Sequence, residues 1–257
     1  MQERLAGKVA LIHCVEGGFH LGETPEEVDR AVASLARRGV GYIVLAHLVW
    51  RGVATNAPAL PFMPDSLYRV VFYQPPEGLS ELGRAAIRAM VRERVLIDLS
   101  HMSERALSDT FELLDELDPG KRTPVIASHA CFRFAGQEYG LTAETLRRVA
   151  ERGGVVGLIL AQHQLNDGIR KGPTETFEDS MEVLGRHVEA IHEAVGSHRH
   201  TAIGSDLDGF IKPTLSGLEG MGDMGRLEDF LRARYGNDDG ELIASGNALR
   251  VLRAGWG

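Results

Sequence analysis

The sequence is poor in cysteine and contains no long apolar run. Its two cysteines, Cys14 and Cys131, are too few for a disulfide framework, which favours a reducing compartment. No apolar run approaches the roughly 18 residues that a membrane-spanning helix needs. The first ten residues, MQERLAGKVA, lack the apolar segment of a signal peptide. We therefore expect a cytoplasmic protein that has no membrane partner.

Positive charge and nucleotide-binding motifs are also scarce. The 257 residues include 28 Lys and Arg against 36 Asp and Glu, which gives a formal net charge of −8. Because a phosphate backbone attracts a basic surface, this balance argues against nucleic acid as the main partner. No G-x-G-x-x-G follows a predicted strand and no P-loop occurs, so nucleotide binding is disfavoured as well.

Six short apolar runs alternate with segments that have the periodicity of amphipathic helices. The runs are KVALIHCVEGG, GYIVLAHLV, RVLIDLSHMS, TPVIASHACF, GGVVGLILAQH and HTAIGSDLDGF. They are continuous rather than strictly alternating, as is typical of parallel strands that are covered on both faces. This order predicts a parallel α/β fold in a single domain, residues 1–257, built either as a barrel or as an open doubly wound sheet.

Three helix starts are indicated by capping residues. Thr24 precedes Pro25 and a capping-box Glu27, and Ser80 and Ser103 precede the next two helices. The longest irregular segment is residues 49–78. Long loops in compact domains are usually functional, so we expect this segment to contribute to a site.

Five of the predicted strands end in a residue that can bind a metal or carry a proton. These residues are Glu16, His47, His101, His129 and Asp206. Each one alone is better explained as a cap, a turn residue or a core histidine. Their joint occurrence at the carboxyl ends of parallel strands, which meet on one face of a barrel, favours a metal site. Imidazole and carboxylate together suit zinc first among the divalent metals.

The other histidines carry less weight. Because side chains alternate along a strand, His13 should point away from Glu16 and pack against a helix as a structural residue. His187 belongs to a group of four histidines in or near one predicted helix, His187, His192, His198 and His200. We expect these four to be solvated or to cap the helix.

Four motifs give the chain a resemblance to a known family. Taken in the order VEGG, DLSH, SHA and SDLDG, and with the ending GNALRVL, the sequence resembles the membrane (renal-type) dipeptidases, peptidase family M19 of the amidohydrolase superfamily. The resemblance extends from about residue 7 to residue 253. It implies a (β/α)8 TIM-barrel fold, two zinc ions and a dipeptide substrate, often with a D-residue in the C-terminal position. A homodimer is also plausible by resemblance.

The resemblance assigns a role to each motif residue. Glu16 matches the carboxylate that bridges both metals, and His101 and His129 match two histidine ligands of one metal. His47 matches a histidine that contacts the substrate near the reacting carbonyl. Asp206 matches the carboxylate that handles the proton during hydrolysis by a metal-activated water.

The sequence departs from the family pattern in two places. The family begins with a strand that ends in His-x-Asp and supplies two ligands to the other metal, and no His-x-Asp occurs here. We therefore expect an incomplete barrel of about six strand-helix units, truncated at its N-terminal side relative to the family, with one occupied zinc site and a second that is weak or empty. The family also has a substrate-binding Arg after the SH motif. Here Arg133 is the one arginine available after this motif, and Tyr139 is the other candidate for substrate binding.

Three functions are consistent with these observations. The first is a zinc dipeptidase-like hydrolase acting on a small-molecule dipeptide. The second, suggested by the missing Arg, is a related amidohydrolase that acts on another amide or on a lactone. The third, suggested by the missing His-x-Asp, is a non-catalytic homologue with a degenerate metal site that serves as a binding or assembly partner.

Overall fold

The six predicted strands form one parallel sheet in the computed structural model, which describes residues 11–209 and 211–256. The strands are β1 His13–Glu16, β2 Val40–Val44, β3 Leu96–Asp98, β4 Val125–Ala130, β5 Val155–Leu158 and β6 Thr201–Ile203. Their spatial order is the same as their order in the chain. All five pairings are parallel. This sequential order is that of a TIM-type barrel, in which each strand lies beside the next.

Helices cover the sheet and connect its strands. They are α1 Pro25–Arg37, α2 Asp65–Val71, α3 Glu81–Glu93, α4 Glu104–Leu117, α5 Ala143–Glu151, α6 Gln162–Leu165, α7 Phe177–Val195, α8 Met224–Glu241 and α9 Asn247–Trp256. The three predicted caps are confirmed. The hydroxyl groups of Thr24, Ser80 and Ser103 accept hydrogen bonds from the third residue of α1, α3 and α4 respectively.

The strands are buried between two apolar clusters. The larger one contains Ile43, Ile97 and Val156 together with the inner faces of the surrounding helices. The smaller one joins one residue from each of four strands to Val251 of α9, and its strand members are Leu96, Ile126, Val155 and Ala202. Helix α9 therefore packs against the sheet itself.

Among the described residues the sheet has six strands, as predicted, and not the eight of a complete barrel. β1 and β6 are the outer strands of the sheet, and no other described strand pairs with either of them. The first predicted run starts at Lys8, but Lys8, Val9 and Ala10 lie outside the described residues. The predicted irregular segment 49–78 contains the short helix α2. Within the described residues, no helix combines the length and apolar character that crossing a membrane requires.

Candidate metal centre

The five predicted site residues lie at the carboxyl end of the sheet. Glu16 is the last residue of β1, and His129 lies in β4. His47, His101 and Asp206 come shortly after the ends of β2, β3 and β6. Because all six strands run in the same direction, residues far apart in the chain meet at this end of the fold.

Three of these side chains converge on one point. The Oε1 atom of Glu16 lies 3.2 Å from Nε2 of His101 and 3.2 Å from Nε2 of His129. The two Nε2 atoms are 3.0 Å apart. Ligand atoms of a tetrahedral zinc ion, each about 2.1 Å from the metal, are separated by roughly 3.4 Å. The spacing of Glu16, His101 and His129 therefore fits three ligands of one such ion.

His47 lies slightly farther from Glu16 than the other two histidines do. Its Nε2 atom is 3.8 Å from the same oxygen of Glu16. Ligand atoms of Glu16, His47 and His101 all lie within 4.8 Å of one another, so these three also form a possible metal-binding group. The triangle of Glu16, His101 and His129 is tighter than the one that includes His47, so it is the stronger candidate ligand set for a single ion.

The charge states of two of the three side chains, Glu16 and His101, suit a metal. Burial alone would raise the pKa of Glu16, but hydrogen bonds and charge from His101 and His129 lower it well below its ordinary value. Burial lowers the pKa of His101 to about 4, despite its hydrogen bond to Glu16. Burial also acts to lower the pKa of His129, but Glu16, Asp98 and Asp206 outweigh burial and raise it. An ionised Glu16 and a neutral His101 are the forms that bind metal ions.

Two of the five residues have an unusual backbone conformation. His101 has a φ of 65° and Asp206 a φ of 50°, both in the left-handed region that non-glycine residues rarely occupy. Such conformations cost free energy and occur preferentially at functional sites. Gly17, immediately after Glu16, has a φ of 93° and lets the chain turn sharply at the end of β1, as the glycine pair suggests.

A buried polar network orients His129. The hydroxyl of Ser128 is 2.8 Å from Nδ1 of His129, which leaves Nε2 free to face Glu16. The hydroxyl of Ser100 accepts a hydrogen bond from the backbone N–H of His129. Asp98 accepts hydrogen bonds from the N–H groups of Ser100 and Ser128. Hydrogen bonds of this kind fix the orientation of a metal-binding histidine.

These supporting residues were missed by the sequence analysis. Asp98, Ser100 and Ser128 belong to the motifs DLSH and SHA, and the two serines directly precede the predicted ligands His101 and His129. Asp98 is fully buried, and its Oδ2 atom has no hydrogen-bond partner among the described residues. An acidic residue in the middle of an apolar strand was the signal that could have indicated this role, because a buried carboxylate requires partners.

A close backbone approach holds Ser128 in place. A Cβ atom built on Gly204 would lie 1.7 Å from the carbonyl oxygen of Ser128, so no larger residue fits at this position without a shift. Gly204 follows β6 and precedes Asp206. It therefore lets the two chain segments that carry His129 and Asp206 lie against each other.

The cluster opens into a cavity of about 170 Å³. Its polar wall includes Glu16, His47, His101, Tyr139 and Asp206. Tyr139 is buried, and its hydroxyl donates a hydrogen bond of 2.9 Å to the carbonyl oxygen of His129. Its ring stands edge-on to His101, with the ring centres 5.4 Å apart. The predicted Tyr139 is thus at the site and also supports two of the histidines.

The predicted substrate residue Arg133 does not line this cavity. Its guanidinium donates hydrogen bonds to the carbonyl oxygens of Gly140 and Glu138 and pairs with the carboxylate of Glu104. All of these partners are outside the metal cluster. The structure therefore brings Tyr139, but not Arg133, to the candidate site.

Two other expectations about histidines are wrong. His187 is fully buried rather than solvated, and it joins the backbone N–H of Phe132 to the carbonyl oxygen of Leu165. It lies on the apolar face of α7 with Leu184 and Ile191, and the helical spacing of these residues could have indicated its burial. His13 is exposed instead of packing against a helix.

The fold and the cluster define a class of protein. A parallel α/β barrel sheet that gathers glutamate and histidine side chains at its carboxyl end has the design of a metal-binding protein of the TIM-barrel type. The family model of the membrane dipeptidases, peptidase family M19, matches residues 1–255, and the chain belongs to this family.

Comparison with individual proteins gives the same family. The chain is 30% identical over 256 residues to an uncharacterized dipeptidase of Schizosaccharomyces pombe, covering 96% of this chain and 53% of that protein. It is 27% identical over 256 residues to dipeptidase 3 of Rattus norvegicus, covering 96% of this chain and 45% of that protein. The chain thus spans about half the length of these curated relatives.

A solved structure confirms the fold. A metallo peptidase from Rhodobacter sphaeroides, liganded with a phosphinate mimic of the dipeptide L-Ala-D-Ala, matches with a TM-score of 0.74 and 22% identity. The match covers 95% of this chain and 63% of that one. The match therefore covers nearly all of this chain and the larger part of that one.

Proposed function

We propose that this chain carries the metal centre of a dipeptidase-type hydrolase, which uses zinc to cleave the amide bond of a small dipeptide. The observation that carries the proposal is the triangle of Glu16, His101 and His129, whose ligand atoms lie 3.0 to 3.2 Å apart. The family membership of residues 1–255 supports the choice of reaction. The chain spans only about half the length of its curated relatives, so their activity is proposed for it and rests on its own residues.

Glu16, His101 and His129 would hold one zinc ion. When bound there, zinc polarises a carbonyl group and makes water a nucleophile at neutral pH. For a second ion, Glu16 and Asp206 are the remaining carboxylates in the wall of the cavity formed by the described residues. Two carboxylates give a weaker zinc site than a set that includes imidazole, so we propose one well-held ion and a second that is weak.

Asp206 is the proposed proton carrier. It borders the same cavity as Glu16 and His47. Burial raises its pKa, and the charge of Glu16 adds to this effect, whereas His129 and His47 oppose it. A carboxyl group with a raised pKa can take a proton from the attacking water and deliver it to the leaving amine. His47, half-exposed at the mouth of the cavity, is placed to contact the reacting carbonyl.

Zinc content and hydrolysis of L-Ala-D-Ala by the purified protein test this proposal together. We expect about one tightly bound zinc ion per chain, measurable turnover, and loss of both in His101→Ala. Binding of the phosphinate mimic of L-Ala-D-Ala, measured by isothermal titration calorimetry, gives a readout that does not depend on turnover. A protein that binds no zinc, or one whose zinc content is the same in His101→Ala, would contradict the proposal.

The position of Arg133 favours a second candidate, a hydrolase for an uncharged amide or a lactone. No lysine or arginine lines the metal cavity within the described residues, so a substrate carboxylate finds no fixed cation there. A panel comparing L-Ala-D-Ala, its C-terminal amide and a simple lactone separates the two functions. Faster turnover of the free dipeptide supports the first, and faster turnover of the amide or lactone supports the second.

A further inference from the structure

Gln164 has a buried polar group that the fold does not use. It lies in α6, just after β5, and is 4% exposed. Its Oε1 atom is buried and has no hydrogen-bond partner among the described residues. An unpaired buried acceptor costs about 1–3 kcal/mol, so a structure usually retains one only where something else satisfies it.

The neighbouring Gln162 provides an internal comparison. It is equally buried and lies in the same turn of helix. Its Nε2 donates to the carbonyl oxygen of Thr214, and its Oε1 accepts from the backbone N–H of Thr174. Gln162 is therefore satisfied at both ends and holds the fold together, whereas Gln164 is not.

Gln164 stands at the boundary between two cavities. It lines the metal cavity together with Glu16 and Asp206. It also lines a neighbouring groove of about 540 Å³ formed mainly by residues 58–66, which we call the 58–66 groove. Ala59 is the other residue common to both walls. A molecule that occupied both spaces would lie against Gln164 and Ala59.

The electrostatic character of the 58–66 groove is acidic. Asp65 and Asp167 lie in its wall, and no lysine or arginine lines it within the described residues. The cationic Arg170 and Lys212 line a different cavity. Arg170 pairs with Asp179, and the ammonium group of Lys212 donates to a backbone carbonyl. Arg69 lies 3.9 Å from the carboxylate of Asp65 and offsets part of its charge. The preference of the groove for a positively charged group over a carboxylate therefore rests mainly on Asp167.

We propose that Gln164 is a specificity-determining residue that recognises the free amino group of the substrate. Its Oε1 atom accepts a hydrogen bond from the α-ammonium group of an aminoacyl compound, with the scissile amide at the metal cluster and the amino end directed toward the 58–66 groove. This inference rests on the proposed hydrolysis at that cluster and names the residue that would distinguish a free amino end from a blocked one.

Paired ligands test the inference by binding. Isothermal titration calorimetry compares the phosphinate mimic of L-Ala-D-Ala with the same compound lacking the amino group, on the zinc-loaded protein. A hydrogen bond to a charged group corresponds to about tenfold or more in affinity. We expect the wild type to prefer the amino compound by at least this factor. In Gln164→Met, which keeps the length and loses the acceptor, the preference should fall to within about twofold.

Two further variants separate recognition from folding. In Gln164→Glu the acceptor is restored with a negative charge, so the amino preference should equal or exceed that of the wild type. In Gln162→Met thermal stability should decrease while the amino preference stays. Equal binding of both compounds by the wild type, or an unchanged preference in Gln164→Met, would overturn the inference alone. If the zinc-loaded wild type binds neither compound and hydrolyses no dipeptide, the proposed function itself fails.

Discussion

Glu16 and His129 lie on strands that are separated by two others, yet Oε1 of Glu16 is only 3.2 Å from Nε2 of His129. Neighbouring strands are about 4.8 Å apart, so three such steps in a flat sheet would place β1 and β4 roughly 14 Å apart. The contact therefore requires the sheet to curve as a barrel does. The metal cluster therefore depends on this curvature as well as on the residues at the strand ends.

The first prediction concerns the three proposed zinc ligands. Replacing any one of them leaves two ligands and an open position, so His129→Ala should lower zinc affinity by at least the 10- to 100-fold seen when only a supporting residue is lost. Titration of the zinc-free protein in competition with a chromophoric chelator measures this change. His13→Ala is the matched control, because His13 is exposed on the same sheet.

The outcome of that titration also tests the choice between the two ligand sets. His47→Ala should weaken zinc binding less than His129→Ala, because His47 is 3.8 Å from Glu16. A larger effect at His47 would assign the ion to Glu16, His47 and His101 instead.

The second prediction concerns Ser128. Ser128→Ala removes the hydroxyl next to Nδ1 of His129 and leaves the zinc-facing nitrogen untouched. We expect zinc affinity to fall about tenfold because the ring is no longer fixed in orientation. The free energy of unfolding should change by only about 1 kcal/mol. An unchanged affinity, measured by the same chelator titration, would show that the ring is held by packing alone.

The third prediction concerns the close approach at Gly204. Gly204→Ala would place a methyl group against the carbonyl oxygen of Ser128. Forcing the two segments apart should destabilise the protein by about 1–3 kcal/mol and weaken zinc binding, because His129 moves with Ser128. Urea unfolding and zinc titration measure the two effects.

Gly172→Ala is the matched control for this variant. A Cβ atom at Gly172 meets no atom within 4 Å. The same substitution there should leave zinc affinity unchanged. If Gly204→Ala behaves like Gly172→Ala, the chain near Ser128 can adjust more than the close contact indicates.

The outline of the site was predictable from sequence because strand ends are marked by local chemistry. A run of apolar residues followed by Glu16, His101 or His129 gives both the strand and the position at its carboxyl end. The cap of α1 at Thr24 was predictable for a similar reason, since a hydroxyl before Pro25 satisfies free N–H groups locally.

Other features depend on partners that are distant in sequence. Arg133 looked available for a substrate, but its guanidinium is taken up by Gly140, Glu138 and Glu104. Gln162 and Gln164 look equivalent in the sequence, and only their hydrogen bonds distinguish them. Such differences arise from tertiary packing, which residue type and spacing do not encode directly.

The fourth prediction concerns the proton carrier. Asp206→Asn keeps the size of the side chain and removes its ability to take a proton. We expect the rate of L-Ala-D-Ala hydrolysis to fall by about 10²- to 10⁴-fold, while one zinc ion per chain is retained, because the triangle of ligands does not include Asp206. Steady-state kinetics and zinc analysis of the same preparation measure both. Retention of the full rate would assign the proton to another group.

The fifth prediction concerns the pH dependence of stability at His187. Burial lowers the pKa of His187 from 6.5 to about 4; the hydrogen bond to Leu165 opposes this effect and the charge of Arg186 adds to it. The unfolded chain therefore binds a proton near pH 6.5, whereas the folded chain does not until about pH 4. The neutral His187 therefore contributes its full share to the free energy of unfolding above pH 6.5. As the pH falls from 6.5 toward 4, the free energy of unfolding decreases by up to about 3 kcal/mol.

Urea unfolding of the wild type and His187→Gln at pH 7.5 and pH 4.5 isolates this contribution. The variant is expected to be less stable at pH 7.5, because the glutamine side chain is more flexible than the imidazole ring and loses more conformational entropy when it bonds to Phe132 and Leu165. Its stability should fall less steeply with pH, because the protonation that destabilises the wild type is removed. The other histidines are common to both proteins and cancel in the comparison. Equal losses of stability in the two proteins would contradict the prediction. They would mean that His187 is already protonated in the folded state, or that acid unfolds this part of α7 before His187 takes up a proton.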